Sequence, residues 1–119
     1  MGSVTIRDGA LHIELTVPER VLSLHGESVV VPLSDITGVR VVREVLGQLR
    51  GLRMPGAGIP GVLAIGTWRG TLDGRKFHDF VLIHHAGPGL VITTSGDYDR
   101  VLIGVEDPQA LAVDLGLAV

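Results

Sequence analysis

The chain opens on alternating apolar and polar positions. In "VTIRDGALHIEL" two such runs flank Asp8-Gly9, a pair that tolerates the positive φ angles of a type I′ turn, so the first element predicted is a β-hairpin. In its second arm Leu11, Ile13 and Leu15 share one face and His12, Glu14 and Thr16 the other, the pattern of a half-buried strand. "VPERVLSLHGE" has Pro18 and Glu19 where a helix would begin and Gly26 where it would stop, which predicts a short helix over 18–25. "SVVVPLSDITGVRVV" predicts strands over 28–33 and 36–43, joined by a tight turn at Ser34-Asp35. Pro32 lacks an N–H, so it places the first of them at an edge or ends its pairing there.

A Gly/Arg-rich connection from Glu44 to Gly61 comes next, too long for an ordinary turn and therefore either a functional loop or a partly mobile one. "VLAIGTWRG" and "KFHDFVLIHH" read as strands about an Asp73-Gly74 turn, and "GLVITTS" and "YDRVLIGVE" as two more. The chain finishes on a helix over 108–115, with Asp107 as N-cap, Pro108 in the first turn and Gly116 as its stop. Leu111, Leu115 and Ala118 fall on one face, which docks on the sheet because so short a helix does not persist alone in water. Many strands with few helices between them favour an antiparallel sandwich or barrel over βαβ units.

A chain of 119 residues, 45% hydrophobic and 19% charged, forms one domain over 1–119 around one core. The net charge of -3 supplies no global field for nucleic acid or an anionic membrane, so any anion site is local. Cysteine is absent, which removes disulfides and thiolate chemistry. No apolar run reaches the length that spans a bilayer and the amino-terminal residues lack the pattern of a signal peptide, so the expected location is cytoplasmic and integral membrane insertion is not expected. A mean hydropathy of +0.42, together with strands that look apolar on both faces ("SVVVPL", "FVLIHH"), predicts that the chain forms a homo-oligomer.

"VPLSDITGVRVV", preceded by "LHIEL" and followed by "GLRMPGAGIPG", "GTWRG" and a closing "VEDPQAL", resembles the bacterial pleckstrin-homology-like (PH-like) domains, including small stand-alone members of uncharacterised function. The resemblance covers nearly the whole chain. It implies a mainly β fold, a barrel of two nearly orthogonal antiparallel sheets with about seven strands, closed at one end by the last helix. Eukaryotic members of that superfamily bind inositol phosphates through a basic loop between early strands. This chain has one lysine and no Lys-x-Arg cluster in its first hairpin, so peripheral lipid contact is not expected.

For chemistry, "GLRMPGAGIPG" is the first candidate. Gly56 and Gly61 have P-loop spacing and Gly56, Gly58 and Gly61 match a dinucleotide fingerprint, but Val62 and Leu63 then begin a strand, not the helix either site needs. What remains is a set of guanidinium groups, Arg50 and Arg53 with Arg69 or Arg75, facing an anion or a partner's carboxylates alongside the N–H groups of Gly56 and Gly58. Trp68 is either an interface anchor on an outer strand face or packed beneath the 44–61 segment. Adjacent His84 and His85 point to opposite sides of a strand, so a metal site would need His12 or His78 to converge from elsewhere, and none is expected. Ser3, Ser23, Ser28, Ser34 and Ser95 fall at turns or polar faces outside any nucleophile-elbow pattern. Asp97 and Asp99, the one possible carboxylate pair, sit in a turn. The expectation is a non-enzymatic binding or scaffolding module without catalytic residues or cofactors, acting on a protein partner or on itself. The alternative is a receptor for an anion or small acidic ligand at the 50–61 segment.

Overall fold

The computed structural model describes residues 3–16, 29–50, 52–59, 63–96 and 98–118. Nine strands form two separately hydrogen-bonded sheets among these residues, and one helix follows them. The smaller sheet is antiparallel, in the order β1 (Ser3–Arg7), β2 (Ala10–Glu14), β3 (Val29–Pro32). Asp8 and Gly9 turn its first hairpin at φ angles of 52° and 72°, the conformation that the Asp-Gly pair was expected to supply. β3 ends at Pro32 on the last position of the sheet order, and a 3-10 turn over Leu33–Asp35 carries the chain into the second sheet. The expected helix over 18–25 lies outside the described residues.

The larger sheet contains β4 (Ile36–Val42), β5 (Leu52–Ile59), β6 (Leu63–Leu72), β7 (Arg75–Ile83), β8 (Gly89–Thr94) and β9 (Arg100–Gly104), in the order β4-β8-β9-β7-β6-β5. It departs from the antiparallel expectation at one place. β9 inserts between β7 and β8 and runs parallel to β7, with Asp79 opposite Arg100 and Leu82 opposite Ile103. The side chains explain why: Phe80 to Ile83 and Val101 to Ile103 are buried on both faces, so these two runs occupy the centre of a sheet covered on both sides. The apolar character that predicted an oligomer is, in β7, satisfied within the chain.

The fold also corrects the sequence reading of residues 52–59. They form a strand at the end of the sheet order, where a loop was expected, and they carry the register shift between Arg53 (opposite Trp68) and Gly56 (opposite Gly66). Pro55 falls inside that irregularity, where a missing N–H costs no ladder bond. Gly66, across from it, has a φ of 133° that only glycine adopts readily.

Two apolar clusters lie on opposite faces of the larger sheet. The first joins Leu11, Ile13 and Val31 of the small sheet to Ile65, Phe80, Leu82, Ile92 and Val101, with Leu115 of helix α1 (Pro108–Ala118) closing it. The Asp107 carboxylate accepts from the Ala110 N–H at 3.1 Å, which is the predicted cap. Gly116, however, does not stop the helix, which runs on to Ala118. A helical glycine costs only about 1 kcal/mol relative to alanine, a cost the rest of the helix offsets.

The second cluster, on the far face, contains Val42, Val45, Ala64, Trp68, Val81, Ile83, Val91 and Leu102. Its cover is the strap that leaves β4, residues 44–50, whose 3-10 turn spans Val45–Gln48. The strap is fixed at its near end by the Glu44 carboxylate, which accepts from the N–H groups of Leu46 (3.3 Å) and Gly87 (2.9 Å), and by Val45 N–H donating to Gly87 O at 2.9 Å. Val45 then seats directly on Gly89, where a Cβ would come within 2.8 Å of the Val45 Cβ and collide with the Ile103 carbonyl oxygen.

Candidate functional site

The far end of the strap is fixed by charge. β7 places Asp79 on the strap-covered face, and the carboxylate is 1% exposed. A buried carboxylate is tolerated only when paired and hydrogen-bonded, and two guanidinium groups meet that need. Arg50, at the end of the strap, donates from Nε to Oδ2 at 2.8 Å and from Nη2 to Oδ1 at 3.0 Å. Arg100, the residue opposite Asp79 in β9, donates from Nε and Nη2 to Oδ2 at 3.1 and 2.9 Å. Its Nη2 also reaches the carbonyl of Gln48 in the strap at 2.8 Å. Gln48 Oε1 in turn accepts from Arg40 at 3.0 Å. The Arg50 guanidinium carbon lies 4.0 Å from the centre of the Phe77 ring, so one face of the cation is stacked as well as its edge hydrogen-bonded.

The group is therefore an Arg–Asp–Arg triad with one net positive charge. Its side chains are 28% (Arg50), 1% (Asp79) and 15% (Arg100) exposed. Arg50 is the member that reaches the surface. Its Nη1 donates to nothing among the described residues, and it forms one wall of a solvent-open cleft of about 260 Å³.

The rest of the cleft comes from the β6–β7 hairpin and the approach to β9: Leu72, Asp73, Arg75, Lys76, Phe77 and Asp99. Asp73 and Gly74 turn that hairpin at φ angles of 51° and 78°, and Arg75 and Lys76 follow the turn on adjacent strand positions of opposite face. Both are exposed and have no ion-pair partner among the described residues. Asp99 is held by main chain, its N–H donating to His78 O at 2.9 Å while its Oδ2 accepts from His78 N–H at 2.8 Å. His78 Nδ1 lies 3.8 Å from the same carboxylate, and its ring tilts against Tyr98 with centroids 5.1 Å apart.

The site differs from the one read in the sequence. Arg50 and Arg75 do meet at one cleft. Arg69 faces away from it: it follows Trp68 in β6, and successive strand residues point to opposite faces. Trp68, opposite Asp79 in register, is 7% exposed and packs beneath the strap, the second of its two expected placements. Gly56 and Gly58 are strand residues opposite Gly66 and Ala64 rather than parts of an anion-binding loop, and Arg53 stands opposite Trp68 in the same strand.

Sequence reasoning passed over Asp79, Lys76, Phe77 and Arg100. The signal for two of them was present: Asp79 begins the apolar run "DFVLI" and Arg100 begins "RVLI", ionisable groups placed where strands enter the core. Among the described residues no three histidine or carboxylate side chains gather to hold a metal. No helix among them is long and apolar enough to cross a membrane. In comparisons with protein families, curated proteins and solved structures, this chain matches none.

Proposed function

We propose that this chain is a non-enzymatic binding module that recognises an anionic group of a partner at the cleft beside Arg50. One observation carries the reading: Arg50 and Arg75 meet at one open cleft whose lining also includes Lys76, and Arg50 is oriented there by a buried carboxylate. A guanidinium already held in one rotamer loses little further entropy when it binds, so its remaining N–H groups are preorganised donors. Binding without turnover is the function assigned. The PH-like architecture belongs to the same proposal, supported by the two sheets, the helix that closes the first core and the mainly β content.

The test is a titration followed by amide NMR shifts, using inorganic phosphate, pyrophosphate, citrate and short oligoglutamate. Saturable shifts at Arg75, Lys76 and Asp99 are expected from at least one probe, and the double variant Arg75→Ala/Lys76→Ala removes them without changing the fold. If no probe saturates at these amides, the proposal fails.

A further inference from the structure

The cleft is bounded on one side by exposed main chain. A two-residue turn at Asp73-Gly74 makes Leu72 and Arg75 the closing hydrogen-bonded pair of the β6–β7 hairpin, so Arg75, Phe77 and Asp79 direct their N–H and C=O groups toward β6. Lys76 and His78 direct theirs to the opposite edge. His78 shows this directly, since both of its main-chain groups bond Asp99. β9 begins at Arg100, opposite Asp79, so at Lys76 no strand lies on that side among the described residues. The Lys76 N–H and C=O are thus a short open sheet edge beside the charged side chains.

Size and charge narrow the occupant further. About 260 Å³ is below the range typical of pockets for drug-sized ligands, and it suits one side chain better than a nucleotide. Three cations against Asp73 and Asp99 leave one net positive charge, which matches a carboxylate better than a dianionic phosphoryl group.

We propose that the cleft receives an extended acidic segment of a partner polypeptide, whose main chain pairs with Lys76 at the open edge of β7 while one carboxylate side chain reaches Arg50 and Arg75. This rests on the anion-site reading above. The bidentate geometry of a guanidinium suits the planar carboxylate, and the exposed Leu72 offers apolar surface beside it. An extended segment suits this edge, because a residue in a β-strand presents its N–H and C=O to the same side and can bond both main-chain groups of Lys76.

The experiment uses the full chain and three probes: a capped octapeptide of alternating threonine and glutamate, the same peptide with alternate amides N-methylated, and inorganic pyrophosphate. The unmodified peptide is expected to bind with a large shift of the Lys76 amide. N-methylation, which removes the main-chain donors, is expected to weaken it about tenfold. Lys76→Glu abolishes binding of both peptides. Equal affinity of the two peptides overturns main-chain pairing while leaving the anion site standing, and binding of pyrophosphate with no peptide response does the same. Silence from all three probes removes the anion site as well.

Discussion

Removing the Asp79 carboxylate is the perturbation with the clearest structural consequence. Asp79→Ala deletes the acceptor of four charge-assisted hydrogen bonds, at 2.8 to 3.1 Å, and leaves the Arg50 and Arg100 guanidinium groups facing each other without a counter-ion. Breaking a buried ion pair by removing one partner costs roughly 3–5 kcal/mol. Arg50 is 28% exposed and can turn toward water, which places the expected loss at the lower end, about 3 kcal/mol. That is a large share of the ~5–15 kcal/mol that holds an ordinary domain together, and it corresponds to a fall in Tm of about 10 °C.

The assay is urea unfolding followed by fluorescence of Trp68, the only tryptophan, which is buried under the same strap. The triple variant Arg50→Met/Asp79→Leu/Arg100→Met separates charge from packing. If the loss comes from uncompensated charge, the apolar triad restores stability to within about 1 kcal/mol of the parent. An Asp79→Ala variant that loses less than about 1 kcal/mol would refute the claim that the triad holds the strap down.

Other expectations are local and independent. Gly89→Ala forces a methyl against the Ile103 carbonyl and the Val45 side chain, so it destabilises by about 2–3 kcal/mol in denaturant and raises hydrogen exchange at the Val45 amide. An unchanged midpoint would show that the strap yields there freely. Asp107→Ala, which removes the acceptor for the Ala110 N–H, costs about 1 kcal/mol by thermal unfolding, and Asp107→Asn recovers most of it. Arg75→Glu/Lys76→Glu reverses two exposed charges, so the midpoint moves by no more than about 0.5 kcal/mol while anion binding is lost.

Features that depend on neighbouring residues were legible in the sequence. Asp8-Gly9 and Asp73-Gly74 turn their hairpins because both residues of each pair accept positive φ, a property of those residues alone. Alternation placed Leu11 and Ile13 in the core, and the Asp107-Pro108 pair started the last helix. The same local logic misread 52–59. Glycine and proline ordinarily signal a loop, and only a position at the sheet edge with a bulge beside it makes them compatible with a strand. Gly116 was misread for a similar reason, because helix termination there depended on a cost small enough for the rest of the helix to offset.

The site depends on long-range pairing. Arg50 lies 29 positions from Asp79 and Arg100 lies 21, and nothing in the sequence around any of the three names the other two. They meet because β9 inserts beside β7 in parallel, which brings Arg100 opposite Asp79, and because the strap crosses that face to deliver Arg50. Turn chemistry and side-chain periodicity are energies between near neighbours and can be read along the chain. Which strands lie side by side is decided by burying both faces of "FVLI" and "VLI" at once, and that choice, made by the whole core, assembled the charged triad and the cleft it supports.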